Sequence, residues 1–98
     1  MIINPTAKKH QIAVFLWNRV TIDEIRGRSR KNRIAEARYH YWFRLVIIEE
    51  WSLNQAGIAS GKRHHTTVLA GVRRFAHEHL GTPIDSSIHE IRKAYKAL

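Results

Sequence analysis

Cysteine is absent from the 98-residue chain. That excludes a disulfide scaffold, a thiolate zinc site and a thiol nucleophile, and it fits a reducing compartment. Long apolar runs are missing too, since no stretch approaches the roughly 18 consecutive apolar residues of a membrane span. The apolar run near the start of the chain follows Pro5 and the Lys8-Lys9-His10 cluster and precedes Asn18-Arg19, with no small-residue cleavage site. A signal peptide is therefore not expected. Neither repeats nor low-complexity segments occur, and no G-x-x-x-x-G-K-[ST] phosphate loop is present. Carboxylates are scarce, with 8 Asp and Glu against 17 Lys and Arg, for a net charge of +9 with histidines neutral. Such an excess attracts polyanions, nucleic acid first among them. A cytoplasmic, nucleoid-associated protein is the expectation.

Hydrophobic residues make up 44% of the chain and charged residues 26%, with three tryptophans, more than a disordered tail carries. Area scaling has a chain of this size bury about 65% of its surface on folding. One domain with one core, residues 1–98, is expected.

Helical periodicity organises that domain. From Ala7 to Asn18, Ile12, Phe15 and Leu16 recur at helical spacing and read as a core-facing stripe. Thr21 with Glu24 spells a capping box for a short helical turn that stops by Gly27. The basic run Arg26 to Arg33 is a loop entering the next helix. From about Lys31 to Glu50, Ile34, Ala37, Tyr41, Leu45 and Ile48 mark a long helix. Trp42, Phe43, Val46 and Ile47 widen its stripe, the mark of a central helix whose aromatics serve packing. Ser52 with Gln55 opens a helix of under two turns ending before Ser60-Gly61, and His64 to Leu80 forms the next, with Val68, Leu69, Val72, Phe75 and Ala76 inward. A short helix, a glycine-containing turn and a longer helix make a helix-turn-helix. The last helix, capped by Asp85-Ser86-Ser87 with Glu90, carries Ile84, Ile88, Ile91, Tyr95 and Leu98 as a narrow stripe. That stripe is either core or a seam for a second copy or a protein partner. Core is preferred, because so small a chain needs every apolar face.

The segment Gly61-Lys62-Arg63-His64-His65-Thr66-Thr67 concentrates cations, imidazoles and hydroxyls ahead of the first inward Val68. Main-chain N–H groups at a helix start bind phosphate, while Thr, His and Arg reach base edges in a major groove. A solvated polar cap is the bland alternative.

Gly61, Arg63 and His65-Thr66-Thr67-Val68-Leu69 resemble the G-G-R-D-H-T-T-V-L signature of the C-terminal DNA-binding domain of the bacterial replication initiator DnaA. Running back without a gap, Ser52-Leu53 and Gly57 fall on that family's S-L-x-E-I-G, and Ile34-Ala35 with Arg38 on its V-A-x-x-R. Val20 to Ile25, followed by Arg28-Ser29-Arg30, resembles its short helix and basic loop. The resemblance covers essentially residues 7 to 98. It implies an all-α helical bundle with a helix-turn-helix like that of the tryptophan repressor, bound to an A/T-rich box in double-stranded DNA. By the resemblance, Arg30 enters the minor groove, His65, Thr66 and Thr67 read the major groove, Leu53 makes an apolar contact, and Lys31, Arg33 and Arg38 lie near phosphates.

Four positions depart from the family. His64 replaces an aspartate, Lys62 a glycine, Asn54 a proline and Val46 a basic residue. Lys62 and Asn54 add polar reach near the DNA, and Val46 removes some. Because an imidazole can donate where a carboxylate only accepts, the base step the family reads as cytosine is expected to shift, with guanine the leading alternative. No ATPase motif precedes the matched region, so a stand-alone DNA reader is expected, a small transcriptional or replication regulator of bacterial or phage origin. Competition for the initiator's boxes, or non-specific RNA or nucleoid binding, are the alternatives. Catalysis is not expected, nor any cofactor or metal. His64-His65 are adjacent and His77-Glu78-His79 alternate around a helix, so neither group forms the i, i+4 pair that helical metal sites use.

Overall fold

A computed structural model describes residues 5–98. All regular elements among them are helical: α1 (Pro5–Asn18), α2 (Ile22–Arg26), α3 (Asn32–Phe43), α4 (Leu53–Ala59), α5 (His65–Leu80) and α6 (Ile88–Lys96). A π-helical turn, Arg44–Ile48, continues α3 without a break. The all-α class and the helix-turn-helix follow the sequence, the latter formed by α4 and α5.

Three helix starts are the capping boxes that the sequence spells. Thr21 Oγ1 accepts the Glu24 N–H at 3.2 Å while the Glu24 carboxylate accepts the Thr21 N–H at 3.1 Å. Ser52 and Gln55 reciprocate at 3.0 and 2.9 Å, and Ser87 and Glu90 both at 3.1 Å. Each cap satisfies helix donors that would otherwise lack a partner, worth about 1 kcal/mol.

Helix α3 is central and packs on α1, α2 and α5, while α6 lies across α5 and the π turn. Tyr41, Trp42, Leu45, Val46 and Ile47 are all sealed from solvent with Val14, Val20, Ile25, Val68, Val72 and Ile91. The expected single α-helix to Glu50 is corrected by the π turn. There the Glu49 N–H reaches five residues back to the Arg44 carbonyl at 3.1 Å, and the Trp51 N–H reaches Leu45 at 2.9 Å. Leu45, Val46 and Ile47 are buried in succession along this wider turn, as His40 to Phe43 are along α3 before it, so the segment is enclosed on all sides. Arg92 of α6 donates to the Val46 carbonyl from Nε at 3.1 Å and Nη2 at 2.9 Å, satisfying main chain inside the distorted segment.

Helix α1 also corrects its expectation, for Ala7, His10 and Val14 face inward while Ile12, Phe15 and Leu16 are 52%, 43% and 62% exposed. Apolar residues run most of the way round α1, so spacing alone does not choose a face. Polar partners choose it: His10 Nε2 lies 2.7 Å from the Glu49 carboxylate, and Asn18 Oδ1 lies 2.7 Å from His40 Nδ1. On α6, Ile91 is fully buried and Ile88 and Tyr95 pack against the core, whereas Ile84 and Leu98 at the ends of the stripe are exposed. The core reading holds for its middle.

Two contacts bring the helix-turn-helix onto α3. Trp42 Nε1 donates to Ser60 Oγ at 2.7 Å, and that hydroxyl is within reach of the Ala56 and Gly57 carbonyls at 3.0 and 3.1 Å. On α5, Gly71 lies so close to α3 that a Cβ there would stand 2.5 Å from Trp42 Cε3 and 2.7 Å from Tyr39 Cδ1.

Candidate nucleic-acid interface

The turn between α4 and α5 builds the site. Gly61 takes φ 94° and Lys62 φ 64°, both left-handed, and this reversal aims the start of α5 outward. The Arg63 N–H returns to the Gly57 carbonyl at 2.9 Å and ties the turn to α4. His64 then caps α5 through its side chain, Nδ1 accepting the Thr66 N–H at 3.2 Å with Thr66 Oγ1 2.7 Å away. The His64 and His65 rings lie 4.3 Å apart. His64, His65, Thr66 and Thr67 are all exposed, and Val68 behind them is fully buried. Asn54, Lys62, Arg63, His64 and His65 line one open surface depression together with Ile58. Ile58, 64% exposed, was not singled out from sequence; its one signal is the i+4 spacing from Asn54 on α4. Leu53 is half-buried against the core at the same end of α4.

The basic loop lies beside this turn. Arg28, Arg30 and Lys31 are exposed, and among the described residues none forms an ion pair with a carboxylate. Arg28 belongs with Arg30 and Lys31 by position, although only the latter two were site candidates. Arg33, also exposed, is engaged on α2 and its approach, donating to the Arg19 carbonyl at 2.9 Å and to Glu24 Oε2 at 3.4 Å. That contact, after the stronger Thr21 hydrogen bond, helps hold the Glu24 carboxyl below the usual range.

Arg38 and Arg63, both DNA-contact candidates in the sequence, have their guanidinium groups hydrogen-bonded to main chain. Arg38, 8% exposed, donates to the carbonyls of Ile25 at 2.8 Å, Ser29 at 2.7 Å, Gly27 at 2.9 Å and Glu24 at 3.3 Å. Arg63 donates to the Gly27 carbonyl and, at 3.4 Å, to that of Ile25. Burial, then the Arg63 charge, lowers the pKa of Arg38, while burial, then Arg28, lowers that of Arg63. Three guanidinium groups thus press on one another with no carboxylate paired to them among the described residues, and a polyanion laid on the loop would relieve that repulsion.

Residues 11–74 match the family described as the bacterial dnaA protein helix-turn-helix. The chain belongs to that family. No curated protein and no solved structure matches it. The match spans α2, the basic loop, α3, α4 and the first half of α5, so both exposed basic elements of the DnaA-type domain lie within it. Membership suggests DNA binding, and the family is one of DNA-binding rather than catalytic domains. Among the described residues no cluster of three His, Asp or Glu side chains could hold a metal, and no helix is long and apolar enough to cross a membrane.

Proposed function

We propose that this DnaA-type domain is a sequence-specific reader of double-stranded DNA. The first turn of α5 enters the major groove, Arg30 enters the adjacent minor groove, and the protein acts as a small regulator of transcription or replication. The observation that carries the reading is the adjacency of two exposed elements, the polar start of α5 from His64 to Thr67 and the loop of Arg28, Arg30 and Lys31, which form no ion pair among the described residues. Arg63, bonded to the Gly27 carbonyl, joins the two. An α-helix fits the wide major groove of B-form DNA, where Thr66 and Thr67 offer hydroxyls to base edges and methyls to thymine. A narrow A/T-rich minor groove concentrates negative potential and draws in an arginine such as Arg30. Lys31, Lys62 and Arg28 meet phosphates, Asn54 adds a polar contact at the rim of the depression, and Ile58 and Leu53 offer apolar surface from α4. Arg33 reaches phosphate only by leaving Glu24.

Selection from random 20-base-pair duplexes at moderate salt tests the reading, because salt suppresses sequence-independent electrostatic binding. Enrichment of a compact motif with an A/T-rich flank is the expected result. Equal retention of all duplexes, or binding of RNA as tight as of duplex DNA, would overturn it in favour of a non-specific nucleic-acid binder. Similarity of the enriched motif to the initiator's box would make the protein a competitor for those sites, and a different motif would give it sites of its own.

A further inference from the structure

We propose that Arg38 and Arg63 are positioning residues that lock the basic loop to the start of α5, so that the minor-groove and major-groove elements meet DNA at one fixed spacing. The inference rests on the duplex-binding reading above. Carbonyls in an irregular loop lack the donors of a helix ladder and must find others. Here both suppliers are guanidinium groups, one on each side of the loop. Arg38 approaches from α3 and holds the carbonyls of Ile25, Gly27 and Ser29 at 2.8, 2.9 and 2.7 Å. Arg63 approaches from the turn before α5 and shares two of the same acceptors, Gly27 and Ile25.

Close packing supports the same join, since a Cβ on Gly61 would stand 2.6 Å from the Arg26 carbonyl oxygen. Arg30 follows Ser29, whose carbonyl Arg38 holds, and Arg63 precedes His64, the cap of α5. A short chain of charge-assisted bonds therefore connects Arg30 to the first turn of α5. Arginine suits the task because its planar fork presents several donors in fixed directions, whereas a lysine keeps the charge and loses the fork.

A fixed spacing has a consequence that mere stabilisation lacks. Inserting one base pair between the minor-groove flank and the major-groove segment moves them apart by roughly 3.4 Å along the axis, a shift that a locked loop cannot follow and a loosened one can. The test measures affinity for the selected site and for the same site with that insertion, in the wild type and in Arg63→Lys and Arg38→Lys. The wild type should lose about tenfold or more on the inserted site, in line with one lost base-edge or groove contact. The variants should bind the parent site more weakly while their insertion penalty falls to about twofold.

Simple destabilisation would weaken both sites alike and leave the ratio intact, so an unchanged ratio in folded variants overturns the proposal. Nitrogen-15 relaxation on the free wild type provides the measurement that needs no variant. Order parameters at residues 27–31 should match those of α3, near 0.85, and values below about 0.6 overturn the lock. If the wild type yields no two-part motif at all, the duplex reading itself fails and this inference falls with it.

Discussion

His64 and Thr66 form a cap in which imidazole Nδ1 accepts the Thr66 main-chain N–H at 3.2 Å, with Thr66 Oγ1 2.7 Å from the same nitrogen. A nitrogen that accepts carries no proton, so the neutral ring is protonated at Nε2 and presents a donor beyond the helix start. A base edge offering an acceptor, such as guanine N7 or O6, suits that donor, and the amino group of cytosine does not. In parallel duplex selections, His64→Asp, which keeps an N-capping side chain, should move the preference at one step toward cytosine by roughly 1–3 kcal/mol. Identical motifs from the two proteins would count against His64 as a base reader.

Lys62 separates charge from shape. It is exposed and sits at φ 64°, a left-handed conformation that disfavours a residue with a Cβ by roughly 1–2 kcal/mol. Lys62→Gly relieves that strain, at some loss through a more flexible unfolded chain. Thermal unfolding should show unchanged or raised stability, while affinity drops on every duplex and the salt slope falls by roughly one unit. Thr66→Ala should do the reverse, weakening the preferred site by roughly 1–3 kcal/mol and leaving the slope in place. The two slopes, measured from low to moderate salt on preferred and scrambled duplexes, separate phosphate contact from base reading.

Sequence made the helix starts legible because Thr21, Ser52 and Ser87 each announce themselves with a glutamate or glutamine three residues on, a local rule that needs no tertiary knowledge. It also made Val68, Val72 and Ala76 legible as a buried stripe. Helix α1 was not legible in this way, since its inward face is set by His10 finding Glu49 and Asn18 finding His40, partners 39 and 22 residues away. Nor was the π turn, whose signal is a hydrogen-bond shift rather than a residue type. In the site, exposure of His65, Thr66 and Thr67 agreed with the spacing. Arg38 was a DNA-contact candidate through the family resemblance and Arg63 through its place in the polar segment before Val68. Their bonds to main-chain carbonyls were not legible, because the acceptors lie 9 to 38 residues away.

Gly71 tests how closely α5 and α3 approach. A methyl group there would stand 2.5 and 2.7 Å from Trp42 Cε3 and Cζ3, and Trp42 cannot swing away without breaking its 2.7 Å bond to Ser60 Oγ. Gly71→Ala should therefore destabilise the fold by roughly 1–3 kcal/mol in denaturant titration, although alanine is the better helix former. Trp42→Phe removes the indole atoms from the collision, leaving Tyr39 Cδ1 at 2.7 Å, and should make the double variant less damaged than the two single losses combined. Strict additivity would mean that the two residues do not collide.

His40 links stability to pH. Its ring is buried, lies 2.7 Å from Asn18 Oδ1 through Nδ1 and accepts from Arg44 Nε at 2.9 Å through Nε2, so both nitrogens are engaged in the neutral form. Burial, then the charge of Arg44, then His79 and His10, push its pKa from 6.5 down to about 4. The unfolded chain consequently binds a proton at this residue over a range where the folded chain does not, and stability rises with pH across that window. The contribution is fully present above about pH 6.5 and is lost progressively as pH falls toward 4, with about 2 kcal/mol gone by pH 5. His10, whose pKa is also lowered, chiefly by burial, adds in the same direction. Glu24, Glu49 and Glu90 are held below the usual carboxylate range and lose their contribution only under more acidic conditions. Urea midpoints between pH 7 and 5 should therefore fall steeply in the wild type and more gently in His40→Gln, which starts less stable but has no proton to take up at that position. Equal slopes in the two proteins would place the titrating group elsewhere.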